Sequence, residues 1–486
     1  MSFPTFHPTR AAPWLALLCL AACGGADERV WPAESAAREQ AQAVPVRVPD
    51  AATLFAWAPT AYPQFFAGTP SEGSDLGYSY RYFPDSKTFL GVSGTQVAVF
   101  GPPFGDAVAP VGTLADFACA IYVADCATAS PPRLAAGPGY TMAIRNDGSV
   151  LTLGSSSTSF INRAPATVVE GTSARLLTGF SAAAIVAGRY SAMVIGRDGS
   201  LTAWGLSTGG TLGEFNANVP APKLLAGAGA IESAAATDAY TLGRRTDGSV
   251  WHLPGTVTFA KGSATITPSA VVGLTDVRKV VPGLLQGAAT LTGPLAIKLD
   301  GSVWRLSFTM VASTSDTGPV QTHSGSATPF PGLAGIVDIA CSSQHCLALN
   351  ALGQVWAWGR NVEGQVGNGQ SGEDSVVEAP VPVPGLAGVR RIATTGLASI
   401  AITADGQVWT WGGGQNGQGE AGVLTQPTKL ERLSTAVEAA GDDGHAAVRL
   451  RDGSLWSWGL NAAGQLGDGT KTARNTPVQA TLLTVD

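Results

Sequence analysis

The chain has 486 residues, 45% hydrophobic and only 13% charged, with a formal net charge of −6. This is too apolar for a disordered chain and too polar along its length for a multi-span membrane protein, and with no basic run a nucleic-acid partner is not expected. With 61 glycines and 31 prolines, many turns and short strands are expected in place of long helices.

In chain order, residues 1–22 come first. One Arg and no acid precede a run of ten apolar residues, AAPWLALLCL, and then LAAC, Leu20 to Cys23. The run is too short to span a bilayer and reads as the core of an export signal. It resembles a bacterial lipoprotein signal, in which a Leu, two small residues and a Cys mark the cleavage site. The resemblance implies that Cys23 becomes the lipidated first residue; an ordinary cleaved signal peptide is the alternative. Gly24 follows in place of an acid, which under that resemblance implies the outer membrane. Residues 23–49 are small, charged and proline-punctuated and read as a flexible tether, with a short helix around Ala33–Ala43.

Six cysteines are present. Cys19 leaves with the signal and Cys23 takes the lipid. The other four form two close pairs, Cys119 with Cys126 and Cys341 with Cys346, expected as short-range disulfides in an oxidising compartment, or else as buried free thiols.

Residues 50–130 read as a small α+β module of unknown function. Leu54, Phe55, Trp57, Ala58 and Tyr62 have near-helical spacing, with Asp50 as N-cap. YSYRYFPDSKTFLGVSGTQVAVFG then reads as three strands, with Tyr78, Tyr80 and Tyr82 on one face. That face is expected to pack on the helix rather than to bind sugar or peptide. VGTLADFAC, from Val111, is expected to be a short helix.

From residue 131 to 486 the chain repeats. A turn, usually Asp-Gly-Ser/Gln, recurs at Gly148, Gly199, Gly248, Gly301, Gly353, Gly406 and Gly453, with successive gaps of 51, 49, 53, 52, 53 and 47. Glycine suits the positive φ of a tight hairpin. A strand ending W-x-W-G follows. Its first slot is Trp251, Trp304, Trp356, Trp409 and Trp456; its second is Trp204, Trp358, Trp411 and Trp458. Residues two apart on a strand share a face, so both indoles of a copy should point at the adjacent blade. Recurrence at one slot favours packing over a sugar- or base-stacking platform. The following loop, N-x-x-G-Q-L/V-G at Asn361–Gly367 and Asn461–Gly467, lacks the Lys and Ser/Thr of a phosphate cradle, so its glycines are expected to shape turns while Asn and Gln bond the backbone. Units of three or four antiparallel strands cannot bury both faces alone, and seven packed radially make an all-β, seven-bladed propeller.

These motifs resemble those of the regulator of chromosome condensation family, whose units carry a His stretch, DG-x-V-W-x-W-G and N-x-x-GQLG, and whose resemblance implies a seven-bladed propeller. The family His falls at His345 and His445, with Tyr140, Tyr190 and Tyr240 in its place elsewhere. Copies one, three and four lack the N-x-x-GQLG loop, and copy four adds a Ser/Thr-rich insertion around 311–328. A metal site at Cys341, His345 and Cys346 lacks a fourth ligand; no metal and no cofactor is expected.

The resemblance implies a non-catalytic scaffold that presents loops to a protein partner, here in the cell envelope or outside it, as a lipid-anchored monomer. Nucleotide exchange, known from a eukaryotic member, does not suit an exported lipoprotein. The alternatives are an envelope hydrolase or lyase, or an inhibitor of a cell-wall or β-lactam-hydrolysing enzyme, as one exported member is. Against an enzyme, His7 sits in the signal, His252 and His323 in degraded copies, and the acids mostly in the Asp-Gly turns.

Overall fold

In a computed structural model the described residues run from 51 to 483, apart from parts of 62–132, from 155–173, and from the short stretches at 178, 238, 261–262, 285–292, 316–317, 415 and 420–421. Cys23, Cys119, Cys126, the signal and the tether, with its expected helix, lie outside them.

Seven four-step blades follow one another over residues 134–177, 182–224, 231–270, 277–329, 336–382, 389–429 and 436–479. The innermost strand of each touches the innermost strand of the next, and that of blade 7, Ala436–Gly441, returns to that of blade 1, Leu134–Gly137. The ring is therefore closed, and the chain is an all-β propeller.

The Asp-Gly turn sets the repeat. Asp147 Oδ1 accepts from the Ser149 backbone N–H at 2.8 Å and from its Oγ at 2.5 Å, and the same pair of bonds recurs at Asp247, Asp300 and Asp452. The turn glycine has φ +77° at Gly301, and a Cβ there would lie 2.5 Å from Gly335 Cα at the entrance to the next blade. Its carbonyl accepts the first N–H of that blade, from Ile336 at 2.9 Å. Gly148, Gly199, Gly248, Gly353 and Gly406 repeat this bond to the blade that follows. The glycine is thus needed both for its backbone angle and because one blade is built against the turn of the last.

Blades 3 and 4 depart from the expected separate units. The strands Val250–Ala260 and Val303–Ser315 run far past the ring, and Thr256–Thr258 pairs with Val320–Thr322 of the strand Gly318–Pro329. The two blades fuse into one eight-stranded sheet whose outer part projects from the rim. What read as a Ser/Thr-rich insertion is the hairpin of copy four, lengthened outward.

The front module is a helix, Ala51–Ala61, on a five-stranded antiparallel meander spanning residues 71–113. Leu54, Phe55 and Ala58 pack on Phe83, Leu90, Val92 and Val97, and the same cluster takes in Ala351 and Leu352 beside the blade 5 turn. Two expectations are corrected. The Val111 segment begins as a strand, Ala109–Thr113, not a helix; its later residues lie outside the described ones. The tyrosine face is not the face on the helix, since Phe83 and Arg81 point there and alternation puts Tyr80 and Tyr82 on the reverse. There both are half-buried around Phe89, with ring centroids 5.4 and 4.4 Å away.

Candidate functional site

The residues that look most like chemistry lie at the joints between blades. Trp358 and the half-buried Trp356 pack into one cluster with Leu295, Ile297 and Phe330 of blade 4. Trp411 and Trp409 likewise meet blade 5, and Trp458 and Trp456 meet blade 6. The two indoles of a copy therefore share a face, and that face is turned to the preceding blade. The second slot is the deeper: Trp204, Trp358, Trp411 and Trp458 are fully buried, whereas Trp304, Trp356, Trp409 and Trp456 are half-buried. Trp251 is the exception, a fully buried first-slot indole. First-slot Trp304 donates to Ser302 Oγ of its own turn at 3.1 Å. Second-slot Trp411 donates Nε1–H to Gln365 O of blade 5 at 2.9 Å.

That carbonyl belongs to the N-x-x-G-Q-V-G loop. Asn361 Oδ1 accepts from Val366 N at 2.9 Å, its Nδ2 donates to Gln370 O, and Gln365 Oε1 accepts from Glu363 N. Asn461 and Gln465 do the same in blade 7. The loop cradles its own backbone and lays Gly367 against the Trp411 indole, where a Cβ would come within 2.6 Å of Nε1.

The histidines complete these joints. His345 Nε2 lies 2.7 Å from Ser399 Oγ of blade 6, which donates to Gln365 O at 2.7 Å. His445 Nε2 lies 2.7 Å from Thr141 Oγ1 of blade 1, which donates to Gln465 O at 2.9 Å. Asp442 Oδ1 lies 2.8 Å from His445 Nδ1 while accepting the Gly444 and His445 backbone N–H groups. Thr141 and Asp442 thus hold His445 at both ring nitrogens. Asp442, His445 and Thr141 line up as an acid, a base and a hydroxyl, but His445 and Thr141 are buried and the hydroxyl proton is held by Gln465 O. His345, by contrast, meets only a neutral Ser342 Oγ at Nδ1, and burial pushes it down to about 3.

The equivalent position in blade 1 is Tyr140, whose hydroxyl reaches Gly188 O and Ser191 O of blade 2 at 2.9 Å each. Tyr240 precedes Thr241, which pairs with Leu253, and so holds the same position in blade 3. Tyr190 does not. In blade 2 Ser191 pairs with Gly205 as His345 pairs with Gly359, so the slot is Ser191 and Tyr190 is one residue out of register.

At the axis the first hairpin turns of the blades leave a space of about 110 Å³ bordered by Gly188, Arg189, Cys341, Ser343, Asp442 and Asp443. Ser343 Oγ donates to Asp443 across it at 2.7 Å. Cys341 and Cys346 are partners across the blade 5 hairpin and are joined by a disulfide. The space is well below the 300–1,000 Å³ of small-molecule sites. Larger concavities lie at the rim. One of about 960 Å³ is bordered by Arg175, Leu176, Phe180, Arg197, Asp198 and Leu224 between blades 1 and 2. Another, of about 790 Å³, lies beside Phe215, Phe259 and Lys223. Among the described residues no group of three or more His, Cys, Asp or Glu side chains is arranged to hold a metal.

Comparison with known proteins places these features. Models of the regulator of chromosome condensation (RCC1) repeat match residues 336–365, 389–418, 353–399 and 452–485. The mitochondrial RCC1 domain-containing protein RUG3 of Arabidopsis thaliana is 32% identical over 157 residues, which cover 31% of this chain and 35% of that protein. The ultraviolet-B receptor UVR8 of the same plant is 38% identical over 114 residues, 22% of this chain and 25% of the receptor. The matched stretch thus spans about a third or less of these relatives. Prp20p from Saccharomyces cerevisiae superposes with a TM-score of 0.54 at 18% identity, over 71% of this chain and 87% of that one. Human WBSCR16 gives 0.51 at 17% identity, over 64% and 85%. These two likenesses speak to the fold alone. The chain thus carries RCC1 repeats over residues 336–418 and 452–485, on a closed propeller whose fold is matched in solved structures.

Proposed function

We propose that the protein is a non-catalytic scaffold that binds a protein partner through its outer rim, held at the cell envelope by a lipid on Cys23. The observation that carries the reading is the division of labour among its residues. The histidines and second-slot indoles are spent inside the joints, while apolar side chains are offered at the rim. Leu224 is 59% exposed and Leu176 42% exposed at the edge of the 960 Å³ groove, flanked by Arg175 and Arg197. An exposed apolar patch rimmed by charge is the common form of a protein-docking surface. RCC1-like propellers are often interaction or regulatory proteins, which supports the same class. Nucleotide exchange is not part of the proposal, because an exported protein does not meet GTP.

The test is affinity capture with the chain bearing Leu176→Asp and Leu224→Asp beside the unaltered chain. An envelope or extracellular protein retained by the unaltered chain and lost from the double variant is the expected result. Retention of the same proteins by both would remove the groove from the reading. For the anchor, Cys23→Ala is expected to move the protein from the membrane to the soluble fraction; a variant that still sediments with membranes overturns the lipid assignment.

A further inference from the structure

Outer edge strands are where a β protein is open to unwanted pairing, and natural sequences blunt them with proline, charge or a bulge. The described outermost strands of this molecule do so. Ala217–Leu224 carries Pro220, Pro222 and Lys223; Ser263–Ala270 carries Pro268; Val376–Pro382 carries Glu378 and Pro380; Leu424–Lys429 carries Pro427; Arg474–Gln479 carries Pro477; Arg175–Leu177 begins on its charge. One outer edge has none of these devices. Beyond Arg305, where pairing with Gly293–Lys298 ends, the strand Val303–Ser315 continues as Leu306-Ser-Phe-Thr-Met-Val-Ala-Ser-Thr-Ser315, without proline or charge. This segment is held on one side only, by ten consecutive pairs with Gly318–Pro329 and no register shift. Met310 is 53% and Val311 61% exposed.

The direction of its free groups follows from the ladder. Val303 O accepts the Phe330 N–H, so alternate residues from Val303 onward face the inner partner and the others face away. The peptide N–H and C=O of Phe308, Met310, Ala312 and Thr314 therefore lie along the open edge, and no described strand pairs with them. These four are placed symmetrically about Val311.

We infer that this edge is a dimerisation site, taking the same strand of a second copy in antiparallel register about a two-fold axis at Val311. In that register Met310 meets Ala312 of the copy and Phe308 meets Thr314. All four free pairs of groups are used, giving about eight hydrogen bonds in the alternating antiparallel pattern. Val311 faces its own copy as a close, non-hydrogen-bonded pair, which covers the most exposed apolar side chain of the edge. A neutral strand sets no charge against itself when it meets its copy, and it offers a charged partner strand nothing to pair with. The interface is isologous and closes at two copies. It joins the two rim extensions into one continuous sheet and replaces the single-copy state expected from sequence.

The test uses the full-length chain. Sedimentation over a wide concentration range is expected to show a monomer–dimer equilibrium. Val311→Cys is expected to form a covalent dimer under mild oxidation, beyond what the unaltered chain forms, because the non-hydrogen-bonded antiparallel pair brings two Cα atoms to about 4.5 Å. Ala312→Pro removes an N–H that makes no bond inside the molecule and is tolerated on an edge, and Met310→Lys places a charge there. Each is expected to weaken dimerisation roughly tenfold or more with an unchanged circular dichroism spectrum. A chain that stays monomeric throughout overturns the proposal. So does a dimer that neither variant weakens, or protection of the Phe308, Met310, Ala312 and Thr314 amides from exchange in the monomer, which would mean the chain covers its own edge.

Discussion

Trp358 and Trp411 hold the same slot in successive blades and are both fully buried, yet replacing each with Phe should have different consequences. The loss of bulk is common to both. About 40 Å³ left partly unfilled, at about 24 cal/mol per Å³, costs about 1 kcal/mol. The polar part differs in sign. Trp411 Nε1 donates to Gln365 O, and removing that bond costs about 1 kcal/mol more; the carbonyl keeps Ser399 Oγ, so no orphan is added. Trp358 faces blade 4, whose copy lacks the N-x-x-G-Q loop, and its buried Nε1–H has no acceptor. Deleting an unpaired buried donor returns about 1–3 kcal/mol. Trp411→Phe is thus expected to destabilise by about 2 kcal/mol, and Trp358→Phe to lie between neutral and mildly stabilising. Urea denaturation followed by circular dichroism, which does not depend on the indoles, reads the difference. Equal losses, or a larger loss at Trp358, would refute the claim that the loop of one blade serves the indole of the next.

Stability should fall as pH drops below about 6.5. Burial holds His345 down to about 3 and His252 to about 4, so an unfolded chain takes up protons there that the folded one refuses, at up to about 1.4 kcal/mol per pH unit for each. His345→Gln should make the pH profile of the denaturation midpoint shallower, and an unchanged slope would contradict this. Glu438→Ala removes the carboxylate that accepts the Arg133 and Leu134 backbone N–H groups at 2.7 and 3.0 Å; a loss of about 2–4 kcal/mol is expected, against well under 1 for Glu431→Ala, whose ion pair with Lys429 is exposed. Gly301→Ala, forced to positive φ with a Cβ 2.5 Å from Gly335 Cα, should lower the thermal midpoint far more than the smaller changes at the surface, and a midpoint within a degree or two would remove the steric account of the turn.

The repeat was legible because each copy states the same local instructions. The Asp-Gly-Ser turn, the paired indoles and the Asn-Gln loop fix strand ends and faces at short range, and the packing of the tryptophans followed from their spacing alone. Register within a degraded copy was harder to read. Tyr190 looked like the His-slot residue because its neighbours did, but it lies nine residues before its turn glycine, Gly199, where Tyr140, Tyr240, His345 and His445 lie eight before theirs, and the pairing of Ser191 with Gly205 agrees. The fusion of blades 3 and 4 depends on Thr256–Thr258 meeting Val320–Thr322, a pairing over some sixty residues that no local pattern encodes. In the front module the alternation of Tyr78, Tyr80 and Tyr82 identified a face but not which side the helix covers. That was settled by Phe83 and Leu90, one step out of phase with the tyrosines and more apolar.

Closure of the ring shows why the last copy keeps its motif. Blade 1 takes its four strands from residues 134–177 and blade 7 from 436–479, so no strand is lent from one end of the propeller to the other, and side chains must hold the joint. Glu438 caps two N–H groups at the entrance to blade 1, and its other oxygen pairs with Arg449 at 3.1 Å. His445 and Gln465 O share the Thr141 hydroxyl. A Cβ on Gly467 would strike Leu153 at 2.5 Å, so the loop glycine is fitted to blade 1 as Gly367 is fitted to Trp411. Each of these groups belongs to the seventh copy and acts on the first. The motif residues of the seventh copy thus serve the start of the propeller, as those of the fifth serve Trp411 of the sixth.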